Sequence, residues 1–216
     1  MEKFLWALAW VSAMVAVVAA ISYAFVQETD LTVYRLGGAH LLSPNLYTAQ
    51  LHSSAGPLLF TYPPFAALVF WPLAHLPVVS GQAVWNTLNV LSLVGALAFS
   101  IRAARGRPLT TRDWRLALLL TAPALFLWPV RDDFGLGQIE LILMVMILGD
   151  LTCAIEWRGR TLPRGVLTGL AAAVKLTPLV FILYLVVTGQ RRAAAHATAA
   201  FMAATAAVAA ITPRNS

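Results

Sequence analysis

The sequence predicts an all-α fold, a polytopic transmembrane helical bundle of about seven membrane segments with one further proline-rich segment that is re-entrant or interfacial. Three observations predict it. Hydrophobic residues make up 60% of the 216 residues and charged residues only 11%, where a soluble domain carries about 45–50% and about 25%. Mean hydropathy is +0.77. The apolar stretches are parted by short breaks in which arginine concentrates.

Residues 4–26 form the first segment, an uncharged apolar run that meets the roughly 20 residues a helix needs to cross a bilayer. It exceeds the apolar core of a signal peptide, about 7–15 residues, and reads as a retained anchor. Lys3 precedes it and no basic cluster follows at once, so it runs from inside to outside. Residues 27–57, with Gly37, Gly38, Pro44 and Pro57, are expected as the first external loop. Residues 58–76 are apolar but hold Pro63, Pro64 and Pro72, with Pro77 just beyond. Each proline removes a backbone donor and clashes with the preceding turn, so this is the re-entrant or interfacial segment.

Residues 82–101 then return inward and 116–130 go out. Arg131 to Gln138 is expected as a short external loop, 139–155 come back, and 156–164 are internal. This alternation gathers Arg102, Arg105, Arg107, Arg112 and Arg115, then Arg158, Arg160 and Arg164, on the cytoplasmic side, as short arginine-rich loops require. Residues 165–189 have two readings. A single span leaves Arg191 and Arg192 outside. Two short helices hinged at Lys175-Leu176-Thr177-Pro178 return those arginines to the cytoplasm and bring Lys175 to the outer face, and we favour the hinge. Residues 197–211 are the last span. The chain reads as a single transmembrane domain over 1–216, without an internal repeat or a soluble domain.

The net charge of +6 and isoelectric point near 10.1 follow from that topology and do not point to nucleic acid. Cys153, the lone cysteine, excludes an internal disulfide. His40, His52, His75 and His196 have no metal-ligand spacing. No Ser-His-Asp pattern, P-loop or zinc motif is present, so neither a metal nor any other cofactor is expected.

Three sets of residues have chemistry to offer. Asp30 stands where the first segment leaves the lipid. As a general base it would take the proton of an attacking hydroxyl, a contribution of about 10²–10⁴-fold; as a bland acid it caps or solvates a helix end. Glu28 is the nearby decoy. Lys175 lies in an otherwise apolar segment, where an ionisable group costs roughly 2.5–3.5 kcal/mol and usually faces a cavity or a partner. It reads as a cation for a lipid-borne phosphate, or as a snorkelling lysine or the partner of Glu140. Arg131, followed by Asp132 and Asp133, offers a planar fork of donors to phosphate, or belongs to a solvated turn. Gln138 and Glu140 enter the next helix and are candidates to face the same substrate. Gly165 and Gly169 form a small-residue packing motif, and Asn86 and Asn89 suit interhelical hydrogen bonds.

Four stretches together resemble one family: Asp30-Leu-Thr-Val-Tyr34-Arg35-Leu-Gly37-Gly38, Phe60-Thr-Tyr62-Pro63-Pro64-Phe65, Gly135-Leu-Gly137-Gln138-Ile-Glu140, and Gly169-Leu-Ala-Ala-Ala-Val-Lys175-Leu-Thr-Pro178. The set is similar to the polyprenol-phosphate-mannose-dependent α-1,2-mannosyltransferases of actinobacteria, glycosyltransferase family 87, within the wider GT-C fold. The resemblance implies a GT-C-like bundle in the plasma membrane, multi-pass, with its active site on the external face. It implies an inverting transfer of mannose from a polyprenyl phosphate donor to a glycolipid or glycan acceptor, with membrane lipid around it and no nucleic acid. The acid that serves as base in such enzymes maps onto Asp30. Lys175 and Arg131 are then expected to hold the donor phosphate, with Tyr34, Arg35, Tyr62, Gln138 and Glu140 as substrate-binding residues. Glu140 departs from the asparagine that relatives tend to carry. Relatives are also considerably longer, so the chain is expected to be their amino-terminal half, incomplete at its carboxyl end and possible in a truncated, inactive form. Two rival classes stand beside the enzyme: a small transporter or flippase that binds lipid phosphate, and a non-catalytic membrane subunit.

Overall fold

The computed structural model describes residues 2–23, 29–53, 56–153, 156–157 and 160–212. Glu28 and Arg158 lie outside them. The elements run α1 (Glu2–Tyr23), α2 (Thr29–Ala39), β1 (Gln50–Ser53), β2 (Gly56–Leu59), α3 (Pro64–Ala74), α4 (Val78–Arg105), α5 (Thr111–Ala124), α6 (Trp128–Leu136), α7 (Glu140–Thr152), β3 (Glu156–Trp157), β4 (Arg160–Thr161), α8 (Val166–Val174), α9 (Leu179–Val187) and α10 (Arg191–Ala209). The strands make two separate antiparallel hairpins, β1 with β2 and β3 with β4. The all-α expectation holds. Among the described residues α4, 28 residues long, is the helix both long and apolar enough to cross a membrane.

The chain packs as two compact units, each discontinuous in sequence: residues 1–29 with 78–153, and residues 30–77 with 154–216. In the first, α1, α4, α5, α6 and α7 pack around a core of Ala16, Val90, Leu93, Ala124, Leu125, Phe134 and Leu141. The turn between α4 and α5 is closed by the buried carboxylate of Asp113. It accepts the backbone N–H of Thr110 at 2.7 Å, the Thr110 hydroxyl at 2.7 Å and an Arg107 guanidinium N–H at 2.7 Å, and it pairs with Arg105. Accepting the N–H of the residue three before it satisfies one of the orphan donors that open a helix.

The expected span over 116–130 is broken. Helix α5 ends at Ala124, just after Pro123, and α6 starts at Trp128 with Pro129 in its first turn. The expected loop from Arg131 to Gln138 is instead most of α6. Its sequence, Gly135-Leu-Gly137-Gln138, is a helix ending: Gly137 takes the left-handed conformation at φ 68° and the Gln138 N–H reaches back to the Asp133 carbonyl at 2.8 Å. Glycine tolerates that conformation because it has no Cβ. Two α4 side chains hold the turn, the Trp85 indole N–H on the Gly137 carbonyl at 2.9 Å and the Asn89 amide on the Gln138 carbonyl at 3.2 Å. Asn89 thus bonds from α4 to the turn between α6 and α7, where the sequence predicts a bond from helix to helix.

In the second unit, residues 165–189 form two nine-residue helices, α8 and α9. Nine residues rise about 13.5 Å, too little for either to cross a core of about 30 Å. The chain folds back: Gly165, at the start of α8, packs against the Ala193 carbonyl near the start of α10, and Gly169 packs against the Ala197 carbonyl. Helices α8 and α10 are therefore parallel, α9 returns between them in sequence, and the hinge at Lys175–Pro178 is the reading the structure supports. A Cβ on Gly169 would lie 2.1 Å from the Ala197 oxygen. The small-residue motif is thus a helix contact, as its spacing suggests.

The expected external loop over 27–57 also contains structure. Its first part is α2, and its last part enters the β1–β2 hairpin, with Gln50 opposite Leu59 and Ser53 opposite Gly56. Glycine is costly inside a helix, about 1 kcal/mol each against alanine, yet α2 carries two in succession. Close approach explains both: a Cβ on Gly37 would meet the Phe60 ring at 2.2 Å, and one on Gly38 would meet the Phe70 backbone carbonyl, in α3, at 2.6 Å.

Candidate active site

The first turn of α2 carries Asp30, half-buried, at the positive end of the helix. A carboxylate is favoured there by the aligned peptide dipoles. One turn on, Tyr34 is fully buried and its ring stacks on Phe70 with centroids 4.2 Å apart. Tyr62, between β2 and α3, meets Tyr34 edge-on at 5.0 Å, and its hydroxyl donates to the Tyr34 hydroxyl over a long 3.4 Å. Phe60 and Tyr47 complete an aromatic cluster, with Tyr47 donating to the Tyr62 carbonyl at 3.2 Å. Burial pushes the Tyr62 phenol above its ordinary value, the Tyr34 hydrogen bond opposes that, and the negative charge of Asp30 adds to it. Asp30 thus acts electrostatically on Tyr62.

Lys175 joins this cluster through Tyr62. It ends α8 in an extended conformation, and its Nζ sits 5.7 Å from the centroid of the Tyr62 ring. A cation within about 6 Å of an aromatic face gains roughly 0.5–2 kcal/mol, and the carbonyl end of α8 favours positive charge as well. The apolar sequence around Lys175 does not reveal this seat. A lysine at a hinge, over a tyrosine that also feels a carboxylate, is an arrangement that the packing of α8 beside α3 creates.

The second unit therefore brings together Asp30, Tyr34, Tyr62 and Lys175. Tyr34 is the floor of the group, since its burial leaves the half-buried Tyr62 as the ring nearer to solvent. Arg35 is engaged elsewhere: its guanidinium donates to the Leu73 carbonyl and, at 2.7 Å, to the Leu76 carbonyl. Leu73 is in the last turn of α3 and Leu76 lies just past its end, so Arg35 ties α2 to the end of α3. Arg131, Gln138 and Glu140 belong to the first unit. Arg131 is exposed on α6, Gln138 follows its glycine cap, and Glu140 opens α7. Among the described residues no group of three or more histidine, cysteine or acidic side chains is placed to hold a metal.

Chemically, the aromatic wall carries an ammonium over the Tyr62 ring, and a carboxylate stands within electrostatic reach of that ring. Such a wall suits a sugar ring, the carboxylate suits an attacking hydroxyl, and the ammonium suits an oxyanion leaving group.

The profile of glycosyltransferase family 87 matches residues 60–216. A polyprenol-phosphate-mannose-dependent alpha-(1-2)-phosphatidylinositol mannoside mannosyltransferase of Mycobacterium tuberculosis is 33% identical over 223 residues, covering 94% of this chain and 51% of its own length. A polyprenol-phosphate-mannose-dependent alpha-(1-2)-phosphatidylinositol pentamannoside mannosyltransferase of the same species is 36% identical over 177 residues, 81% of this chain and 39% of its own. The mannoside enzyme of Mycolicibacterium smegmatis is 36% identical over 168 residues, 72% of this chain and 37% of its own. The chain thus spans about half or less of the length of these curated relatives. No solved structure matches it.

Proposed function

This chain belongs to glycosyltransferase family 87, and from that premise we infer that it acts in a multi-pass plasma-membrane enzyme. The reaction transfers mannose from a polyprenyl phosphate to a phosphatidylinositol mannoside or related glycolipid, on the external face. About seven membrane segments and a re-entrant proline-rich segment carry it. The observation that supports this best is the group of Asp30, Tyr62 and Lys175, assembled from three stretches that the family resemblance had already singled out.

The transfer is an inverting displacement. An acceptor hydroxyl attacks the anomeric carbon, the bond from that carbon to the phosphate oxygen breaks, and polyprenyl phosphate leaves. Asp30 takes the hydroxyl proton as the new bond forms. Lys175 offsets the charge that grows on the departing phosphate, an effect strengthened in a low-dielectric setting. Tyr62 supplies the wall for the sugar, and Tyr34 holds Tyr62 in place. Arg131 keeps its proposed affinity for phosphate, and Gln138 and Glu140 their proposed contacts with substrate, each open to its own substitution. For Arg35 the bonds to α3 argue for a supporting role in shaping the wall.

Transfer of labelled mannose from polyprenol-phosphate-mannose to a mannoside acceptor, in membranes containing this chain, tests the reading. Asp30→Asn at matched expression is expected to lower the rate by about 10²–10⁴-fold. Undiminished transfer by Asp30→Asn would remove Asp30 as the base. Donor binding without transfer in the unsubstituted chain would instead favour a lipid-phosphate carrier.

A further inference from the structure

A second charged feature of the same unit lies away from the aromatic cluster and is not used by the transfer reaction. Where α8 begins and α10 begins, a cleft of about 460 Å³ is lined by Arg164, Gly189, Gln190, Arg191, Arg192 and His196. We propose that this cleft binds the phosphate of an anionic glycerophospholipid, whose acyl chains lie along α9.

The charge argument comes first. Three arginines from two segments line one cleft, and among the described residues neither Arg191 nor Arg192 has a carboxylate within 4.0 Å. Both stand in the first turn of α10, which holds no acidic residue. A helix start already carries partial positive charge and disfavours cations, so two arginines there are placed against the local field. A phosphate in the cleft relieves that repulsion and pairs with the guanidinium forks. The cleft is also held in shape: Arg164 donates to the Gln190 side-chain carbonyl at 3.1 Å, and the His196 ring meets the Arg164 carbonyl at 3.2 Å.

The apolar argument is independent and decides the source of the phosphate. Val180, Leu183, Tyr184 and Val187 recur at helical spacing along α9 and are 60%, 61%, 50% and 76% exposed. That stripe ends at Val187, two residues before Gly189 in the cleft wall. Inorganic phosphate has no use for it, whereas a diacyl lipid fills the cleft and the stripe together. Lysine and arginine clusters beside membrane helices on the cytoplasmic side are suited to anionic headgroups. The inference needs only the membrane placement of this unit and not the transferase chemistry.

Native mass spectrometry of the intact chain in mild detergent tests it, with phosphatidylglycerol and phosphatidylcholine offered in turn. Selective retention of phosphatidylglycerol is expected. Arg191→Gln with Arg192→Gln should lower that retention by at least about fivefold, near the effect of a single basic residue at an anionic surface. Arg191→Lys with Arg192→Lys should keep most of it, and Arg112→Gln, an exposed arginine outside the cleft, should leave it unchanged. Circular dichroism and a monodisperse elution profile establish that each variant is folded. An equal loss in Arg112→Gln, equal retention of phosphatidylcholine, or full displacement by inorganic phosphate would each overturn the lipid site.

Discussion

Asp30 and Lys175 show how the environment of a single residue decides between a structural and a chemical role. The carboxylate of Asp30 suits the start of α2 whatever its function, so position alone does not separate base from cap. Its influence on Tyr62 does bear on chemistry, because that ring also seats Lys175. Lys175→Gln is expected to weaken donor use by roughly 1–3 kcal/mol, the scale of a charge-assisted hydrogen bond, and Lys175→Arg to restore part of it. Initial rates against donor concentration check both; wild-type kinetics in Lys175→Gln would remove the lysine from the site. Asp113 yields a pH prediction. Its hydrogen bonds to Arg107 and Thr110 hold its carboxyl well below the usual carboxylate range, and a lowered folded value stabilises the protein above the unfolded value of about 3.9. That contribution is expected to be complete at pH 7 and to fade as the pH falls below about 4. Both arginine partners are 43% exposed, so added salt should shrink it. Thermal unfolding followed by circular dichroism at pH 7 and pH 3 reads the effect, and Asp113→Asn should be less stable at pH 7 and less sensitive to acid.

At the scale of elements, the decisive features are the places where helices approach or stop. Helices α8 and α10 meet through Gly165 and Gly169, where a side chain would press on backbone carbonyls that cannot give way. Gly169→Leu is expected to destabilise the second unit by about 1–3 kcal/mol or more, the usual cost of overpacking. The loss should appear as a lowered thermal midpoint in detergent, while an exposed change such as Ala199→Leu leaves the midpoint in place. The hinge at Lys175–Pro178 was legible because a lysine and a proline interrupt an apolar run. Helix α6 was not: its glycines suggest a loop, yet Gly135 lies within the helix and Gly137 forms its left-handed ending. Helix α2 was hidden for the opposite reason, since paired glycines argue against a helix until Phe60 and the α3 backbone are seen against them.

On the scale of the whole molecule, the proposed topology has the aromatic cluster facing the external side from a cavity that dips into the membrane and the Arg164–Arg192 cleft inside, since α8 between them rises only about 13.5 Å. In a Cys153→Ala background, His52→Cys on β1 is expected to react with a membrane-impermeant maleimide in intact cells. Thr188→Cys, at the end of α9, is expected to react only after permeabilisation. The reverse pattern would invert the topology, and labelling of both in intact cells would dismiss the membrane reading of this unit. Among the described residues α4 is the one helix that passes on length and apolarity, fewer than the proposed bundle would contain. Broken helices such as α8 and α9 are short by construction and suit a membrane only where they line protein or a cavity.

The sequence by itself determined the all-α class, the apolar character and the arginine-rich breaks, because composition and charge placement act locally and need no partner. It also singled out Asp30 by its place where the first apolar run ends and Lys175 as an ionisable group in an apolar segment, while Tyr62 entered with the family resemblance. Only the tertiary structure decided which of these meet. Tyr62 meets Tyr34 edge-on and lies under Lys175, while glycines let α2 reach α3 and let α8 lie on α10. The contact of Lys175 with Tyr62 joins residues more than a hundred positions apart, and no local pattern encodes it.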